Sequence, residues 1–165
     1  MAKTRAPERA TTTIERRYKA SLGGVWALWT TKDGIESWWG PGGFQVRVRQ
    51  LDLKPGGELL YTMTAVGSPQ VEFMKKAGMP LSTDASLTFD EVVPQRRLAY
   101  TTVADFVPGV EPYDVFTAVE FFAESGHVRM VLTLEAMHDA QWTKNATMGW
   151  EEQLEKLAKI VGASS

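Results

Sequence analysis

The chain ends on one long amphipathic segment set directly behind its cleanest strand, and that pair limits what everything upstream can become. Val128, Met130, Leu132, Leu134 and Ala136 alternate with Arg129, Thr133 and Glu135, the pattern of a half-buried strand. Asp139 then stands where a helix cap belongs, and Trp150, Leu154, Leu157 and Val161 recur at helical spacing. Glu152 to Lys156 and Glu155 to Lys159 are i, i+4 pairs on the wet side, and Gly162 is expected to end the helix. A sheet on one side and a single long helix on the other describes an α+β domain in which the sheet grips the helix.

The upstream segments supply the rest of that sheet. From Thr12 to Ala20, Ile14, Tyr18 and Ala20 share one face while Glu15, Arg17 and Lys19 share the other. Ser21 is placed to cap a short helix carrying Leu22, Val25, Trp26 and Trp29, although Gly23 and Gly24 each weaken it by roughly 1 kcal/mol relative to alanine. A second short helix, around Asp33 to Trp39, presents Ile35, Trp38 and Trp39 before Gly40-Pro41-Gly42-Gly43 ends it. Phe44, Val46 and Val48 then alternate, and the parity shift to Leu51 and Leu53 near Gln50 predicts a bulge. Pro55-Gly56-Gly57 turns into Leu59, Tyr61, Met63 and Ala65. A long insertion from Gly67 to Thr83 holds the amphipathic run Val71 to Gly78; loops of that length often cover a site. Alternation resumes at Leu87, Phe89 and Val93, at Leu98, Tyr100 and Thr102, and from Tyr113 to Phe122. The expected organisation is a flexible tail over residues 1–11, one domain over 12–161 and a short tail over 162–165.

Composition removes several functions. With 165 residues, folding hides roughly two-thirds of the unfolded surface, enough for a core without staples. There is no cysteine, hence no disulfide, thiol nucleophile or thiolate metal site. With 18 basic against 20 acidic residues, no nucleic-acid partner is expected. No stretch approaches the ~18 consecutive apolar residues of a membrane span, and no secretory signal opens the chain, so a cytoplasmic location is expected. Two histidines, His127 and His138, have no third ligand at metal spacing; neither a metal nor another cofactor is expected. The Gly40 to Gly43 run joins a helix to a strand, the reverse of a phosphate loop.

Several strings resemble one family: Ile14-x-Arg16-x-Tyr18-x-Ala20, Val25-Trp26-x-x-Trp29-Thr30, Trp38-Trp39-Gly40-Pro41, Lys54-Pro55-Gly56-Gly57, Glu91-x-x-Pro94 with Leu98-x-Tyr100-Thr101, and Gly149-Trp150. They are similar to the bacterial relatives of the activator of heat-shock protein 90 ATPase, within the START-like (SRPBCC) superfamily, and the resemblance spans Thr12 to Val161. It implies a helix-grip fold, with a curved antiparallel sheet of about six or seven strands around the long C-terminal helix and two short helices after the first strand. It also implies a deep, largely apolar cavity, in which many relatives hold a lipid, sterol, polyketide or other hydrophobic ligand. Gly23-Gly24 replaces the usual Pro-x pair, and the Val71 to Thr83 insertion is longer than the common pattern. Both fall where the cavity mouth is expected, so no particular ligand is implied. The eukaryotic activator carries a separate chaperone-binding domain for which this chain has no room; the resemblance is therefore expected to carry the fold and not the chaperone activity.

The candidate site follows from the final helix. Its inward face is bulky at Trp150, Leu154 and Leu157 but small at Thr143, Ala146 and Thr147, with Gly149 on the flank. Small residues there mean either a cavity or close helix–sheet packing. The inward-facing wall is expected to include Phe44, Tyr61, Met63, Phe89, Tyr100, Met130 and Leu132, with Trp26 among the ligand contacts. Trp38 and Trp39 are adjacent, so only one is expected to point inward, the other lining the rim. Arg16 shares a face with Ile14 and Tyr18; it either pairs with Glu91, snorkels from the strand end to water, or anchors an acidic ligand. Asp105, Glu120, Tyr61 and Tyr100 are acid–base types, but no spacing pairs them and no catalytic residue is assigned. The expected function is binding of a small hydrophobic ligand by a monomer or weak homodimer. A cavity enzyme of cyclase or hydrolase type and a chaperone ATPase co-regulator acting by its surface are the alternatives.

Overall fold

A computed structural model describes residues 7, 9–40, 42–104 and 109–163. In chain order the elements are β1 (Thr11–Tyr18), α1 (Leu22–Thr30), α2 (Lys32–Trp38), β2 (Phe44–Leu51), β3 (Glu58–Ala65), α3 (Ser68–Lys76), β4 (Ser82–Val93), β5 (Arg97–Ala104), β6 (Tyr113–Glu124), β7 (His127–Glu135) and α4 (Ala140–Ala163). Seven strands form one sheet in the order β1-β7-β6-β5-β4-β3-β2, and every neighbouring pair is antiparallel. The chain starts on one edge, crosses to the other through α1 and α2, and meanders back until β7 pairs with β1. α4 then lies across the sheet. This is the α+β helix-grip architecture.

Local chemistry sets the crossing. Ser21 caps α1, its hydroxyl accepting from Gly24 N–H at 3.0 Å. Thr31 serves both helices: its backbone N–H closes α1 on the Ala27 carbonyl, and its hydroxyl accepts from Gly34 N–H to open α2. A Cβ at Gly34 would collide with the Ala27 carbonyl, so the tight corner between α1 and α2 requires glycine. α1 rests on β6 and β7, and α2 reaches β2 and α4. Register shifts at Val48/Gln50, where the parity shift pointed, and at Phe89/Glu91 bend the sheet.

Three boundaries differ from expectation. Most of the expected N-terminal tail, residues 1–6 and 8, lies outside the described residues. Yet Arg9 is held by four contacts set out below, and Thr11 already pairs with Glu135. Gly162 does not end α4, which continues to Ala163; one glycine is tolerated inside a helix. The long insertion folds as α3, with Met74 buried and Phe73 turned outward at 66% exposure. Among the described residues no helix is long and apolar enough to cross a membrane.

Candidate functional site: a cavity under the N-terminal half of the long helix

A cavity of about 430 Å³ lies between the inner face of the sheet and the N-terminal half of α4. Its roof is Thr143, Ala146, Thr147, Gly149, Trp150 and Gln153. Its wall comes from one end of the sheet: Tyr61 and Met63 of β3, Leu87 of β4, Tyr100, Thr102 and Ala104 of β5, Val115 and Thr117 of β6, and Leu134 and Glu135 of β7. Apart from the helix's own backbone and the adjoining residues, no described heavy atom stands within 4 Å of where a Cβ on Gly149 would sit, so the helix does not pack closely on the sheet there. Further along α4, Leu154, Leu157 and Val161 fill the space completely.

The inner end is aromatic. Trp39 stands edge-on to Tyr61 at 5.5 Å between ring centres and tilted against Tyr100 at 6.2 Å. Behind it, Trp29 stacks on Trp150 at 5.9 Å and meets Trp38 at 4.8 Å. Burial pushes the Tyr61 hydroxyl up to about 12. Tyr100 is raised too, by burial first and by the neighbouring Tyr61 phenol second. Both are therefore protonated donors at neutral pH. Trp39 is 6% exposed, and its indole N–H has no acceptor among the described residues.

The outer end holds a carboxylate that alternation along β7 places on the wet face. Pairing of β6 with β7 stops at Thr117/Leu134, leaving the Phe116 N–H beyond the ladder. The Glu135 carboxylate takes its place, Oε1 accepting from Phe116 N–H at 2.7 Å and Oε2 from Arg9 N–H at 2.9 Å. Arg9 Nη2 lies 3.6 Å from Oε1, its Nε donates to the Ala136 carbonyl at 2.8 Å, and its guanidinium covers the Tyr113 ring. Tyr113 in turn meets His138 Nδ1 at 2.8 Å, fixing the turn into α4. A residue buried at the point where one ladder ends and another continues has no signature in periodicity, which is why Glu135 was not expected here. Leu87, Thr102 and Val115 lie in segments read as strands but were not expected in the site, nor was Gln153 of α4.

Eight of the expected ligand residues line the cavity: Trp39, Tyr61, Met63, Tyr100, Thr143, Thr147, Gly149 and Trp150. Seven do not. Trp38, Phe89, Met130 and Leu132 are packed into the core with Leu154 and Leu157, under the bulky half of α4. Trp26 is half-buried and edge-on to Phe121 at 5.6 Å. Phe44 sits at the start of β2, where its carbonyl accepts from the Lys156 ammonium at 3.1 Å. Arg16 is exposed and donates to the Glu15 carbonyl at 3.0 Å; β1 is an edge strand, so a long side chain on its inner face turns out past the edge to water. Glu91 pairs with Arg97 instead, at 2.9 Å. Trp38 and Trp39 both point inward, against expectation. Trp38 is the last helical residue, its indole donating to the Leu28 carbonyl at 2.7 Å, whereas Trp39 is already extended (φ −68°, ψ 154°) and swings to the cavity side. Glu120 is engaged by Arg97 at 3.6 Å, and Asp105 lies outside the described residues. Among the described residues no cluster of three His, Asp or Glu side chains could hold a metal ion.

The family model described as Activator of Hsp90 ATPase homolog 1-like protein matches residues 19–162. A solved protein of Chromobacterium violaceum superposes with a TM-score of 0.74 at 24% identity, covering 92% of this chain and 96% of that one. An AHSA1-like protein of Aeromonas hydrophila gives 0.72 at 22% identity, with 94% of each chain covered. The AHSA1 protein of Silicibacter pomeroyi gives 0.72 at 18% identity, covering 94% of this chain and all (100%) of that one. At such identities the likeness is one of fold. No curated protein matches.

Proposed function

The chain belongs to the Activator of Hsp90 ATPase homolog 1-like family, and on that fold we propose that it binds one small hydrophobic molecule beneath the N-terminal half of α4. The observation that carries this reading is the open volume of about 430 Å³ under Ala146 and Gly149, within the size range of small-molecule sites. Its walls are mainly apolar and aromatic, with a few hydroxyl and amide groups among them. Burying about 300 Å² of apolar ligand surface at ~25 cal/mol/Å² yields roughly 7 kcal/mol before association costs. That suits reversible carriage or sensing. The phenols on the wall favour binding over proton abstraction, because burial holds Tyr61 and Tyr100 in the protonated form.

Titration with the neutral dye N-phenylnaphthylamine tests the reading. One dye should bind per chain with enhanced, blue-shifted emission. Gly149→Leu and Ala146→Phe, which fill the roof, should each weaken binding at least about tenfold while the thermal unfolding midpoint holds. No dye binding, or binding indifferent to both substitutions, rules the cavity out as the site.

A further inference from the structure

Apart from the Glu135 carboxylate, the polar groups of the described cavity lining are neutral. The Tyr61 hydroxyl makes no hydrogen bond to any described residue. Gln153 gives its carbonyl oxygen to Gly40 N–H at 2.9 Å, which leaves its amino group to donate. The Trp39 indole N–H, unpartnered among the described residues, is itself buried, so the donors open to a ligand are those of Tyr61 and Gln153. Trp39, Tyr61, Tyr100 and Trp150 also give the cavity an aromatic lining, which favours aromatic, planar partners.

The one carboxylate among the described lining residues is already engaged. Glu135 is held by Phe116 N–H and by Arg9, and no lysine, arginine or histidine is among the described lining residues. An anionic ligand entering here would give up its water, meet no free cation and share the space with the Glu135 carboxylate. Burial of an unpaired charge is among the most costly events in a protein interior. A neutral molecule whose oxygens accept hydrogen bonds meets the reverse situation, since unpartnered donors are waiting.

Building on the hydrophobic-binding reading above, we propose that the ligand is an uncharged, planar polycyclic molecule bearing carbonyl or ether oxygens, and that the cavity discriminates against fatty acids and other carboxylates. Tyr61 is the residue that reads the oxygen.

Equilibrium dialysis of the full chain against anthracene, anthraquinone, anthracene carboxylate and laurate tests this on matched skeletons. Anthraquinone should bind about tenfold or more tightly than either carboxylate, and more tightly than anthracene. Tyr61→Phe should weaken anthraquinone about threefold to tenfold and leave anthracene unchanged, because only the hydroxyl is lost. A carboxylate bound as tightly as anthraquinone overturns the proposal, and so does an anthraquinone affinity indifferent to Tyr61→Phe. Equal binding of anthracene and anthraquinone overturns the ligand class but keeps hydrophobic binding. Failure of all four probes overturns both.

Discussion

The two halves of α4 face the same sheet and produce opposite interiors. From Leu154 onward the helix fills what lies beneath it, in one core with Phe89, Met130 and Leu132. Ahead of Trp150 its inward residues are Thr143, Ala146, Thr147 and Gly149, and the space stays open. Trp150 marks the boundary, stacked on Trp29 on one side and lining the cavity on the other. Protein interiors close-pack wherever the side chains are large enough. Here side-chain volume along one helix decides where the core stops and the cavity begins.

The sharpest way to break this contrast is to exchange sizes. Leu157→Ala opens a hole in the filled half and should cost about 2–5 kcal/mol in urea unfolding. Ala146→Leu adds volume to empty space and should change stability by less than about 1 kcal/mol while blocking the dye. Equal losses from the two would mean that the halves are packed alike.

Glu135→Ala probes the outer end of the open half. It strands the Phe116 and Arg9 N–H groups and should cost about 1–3 kcal/mol, read from the urea midpoint. A change under about 0.5 kcal/mol would show that this carboxylate does not hold the cavity's end together.

The tyrosines give a pH signature of about the same size. Burial raises Tyr18 and Tyr61 to about 12 from the ordinary 10, with the Arg16 charge opposing part of the rise at Tyr18. Between those values the unfolded chain has released protons that the folded chain keeps. Stability is therefore full below pH 10 and falls as pH rises through about 12. Tyr61→Phe should flatten the decline measured by urea unfolding across this range by about 2 kcal/mol or less. A decline identical to the parent's would place the Tyr61 hydroxyl in water.

The smallest effect belongs to the first short helix. Ser21→Ala removes the acceptor for Gly24 N–H and should cost about 1 kcal/mol with dye binding intact. Loss of dye binding would tie α1 to the cavity.

What the sequence disclosed follows the range of the interactions concerned. Ser21 and Asp139 as caps, the shift beside Gln50 and the size gradient along α4 are encoded within a few residues, and each was legible. Arg16 as a ligand anchor failed, and its turn to water was one of the open alternatives, because strand parity reports a face but not whether that strand lies on an edge. Trp39 misled because helical projection fails one residue beyond the helix end. Glu135 was silent because its burial depends on where β6 stops pairing with β7, a property of two strands together. The fold was therefore readable through pattern and resemblance, whereas the buried carboxylate at the cavity's outer end depended on register.

Methionine methyl groups offer the most direct test of the central claim, that the space under the N-terminal half of α4 is the binding site. Met63 and Met137 line it, Met130 lies in the filled core, and Met79 and Met148 are on the surface. In a chain carrying carbon-13 methionine methyls, titration with N-phenylnaphthylamine should shift Met63 and Met137 and saturate at one dye per chain. Met130, Met79 and Met148 should hold their positions. Silent Met63 and Met137 signals beside shifting surface methyls would contradict the account.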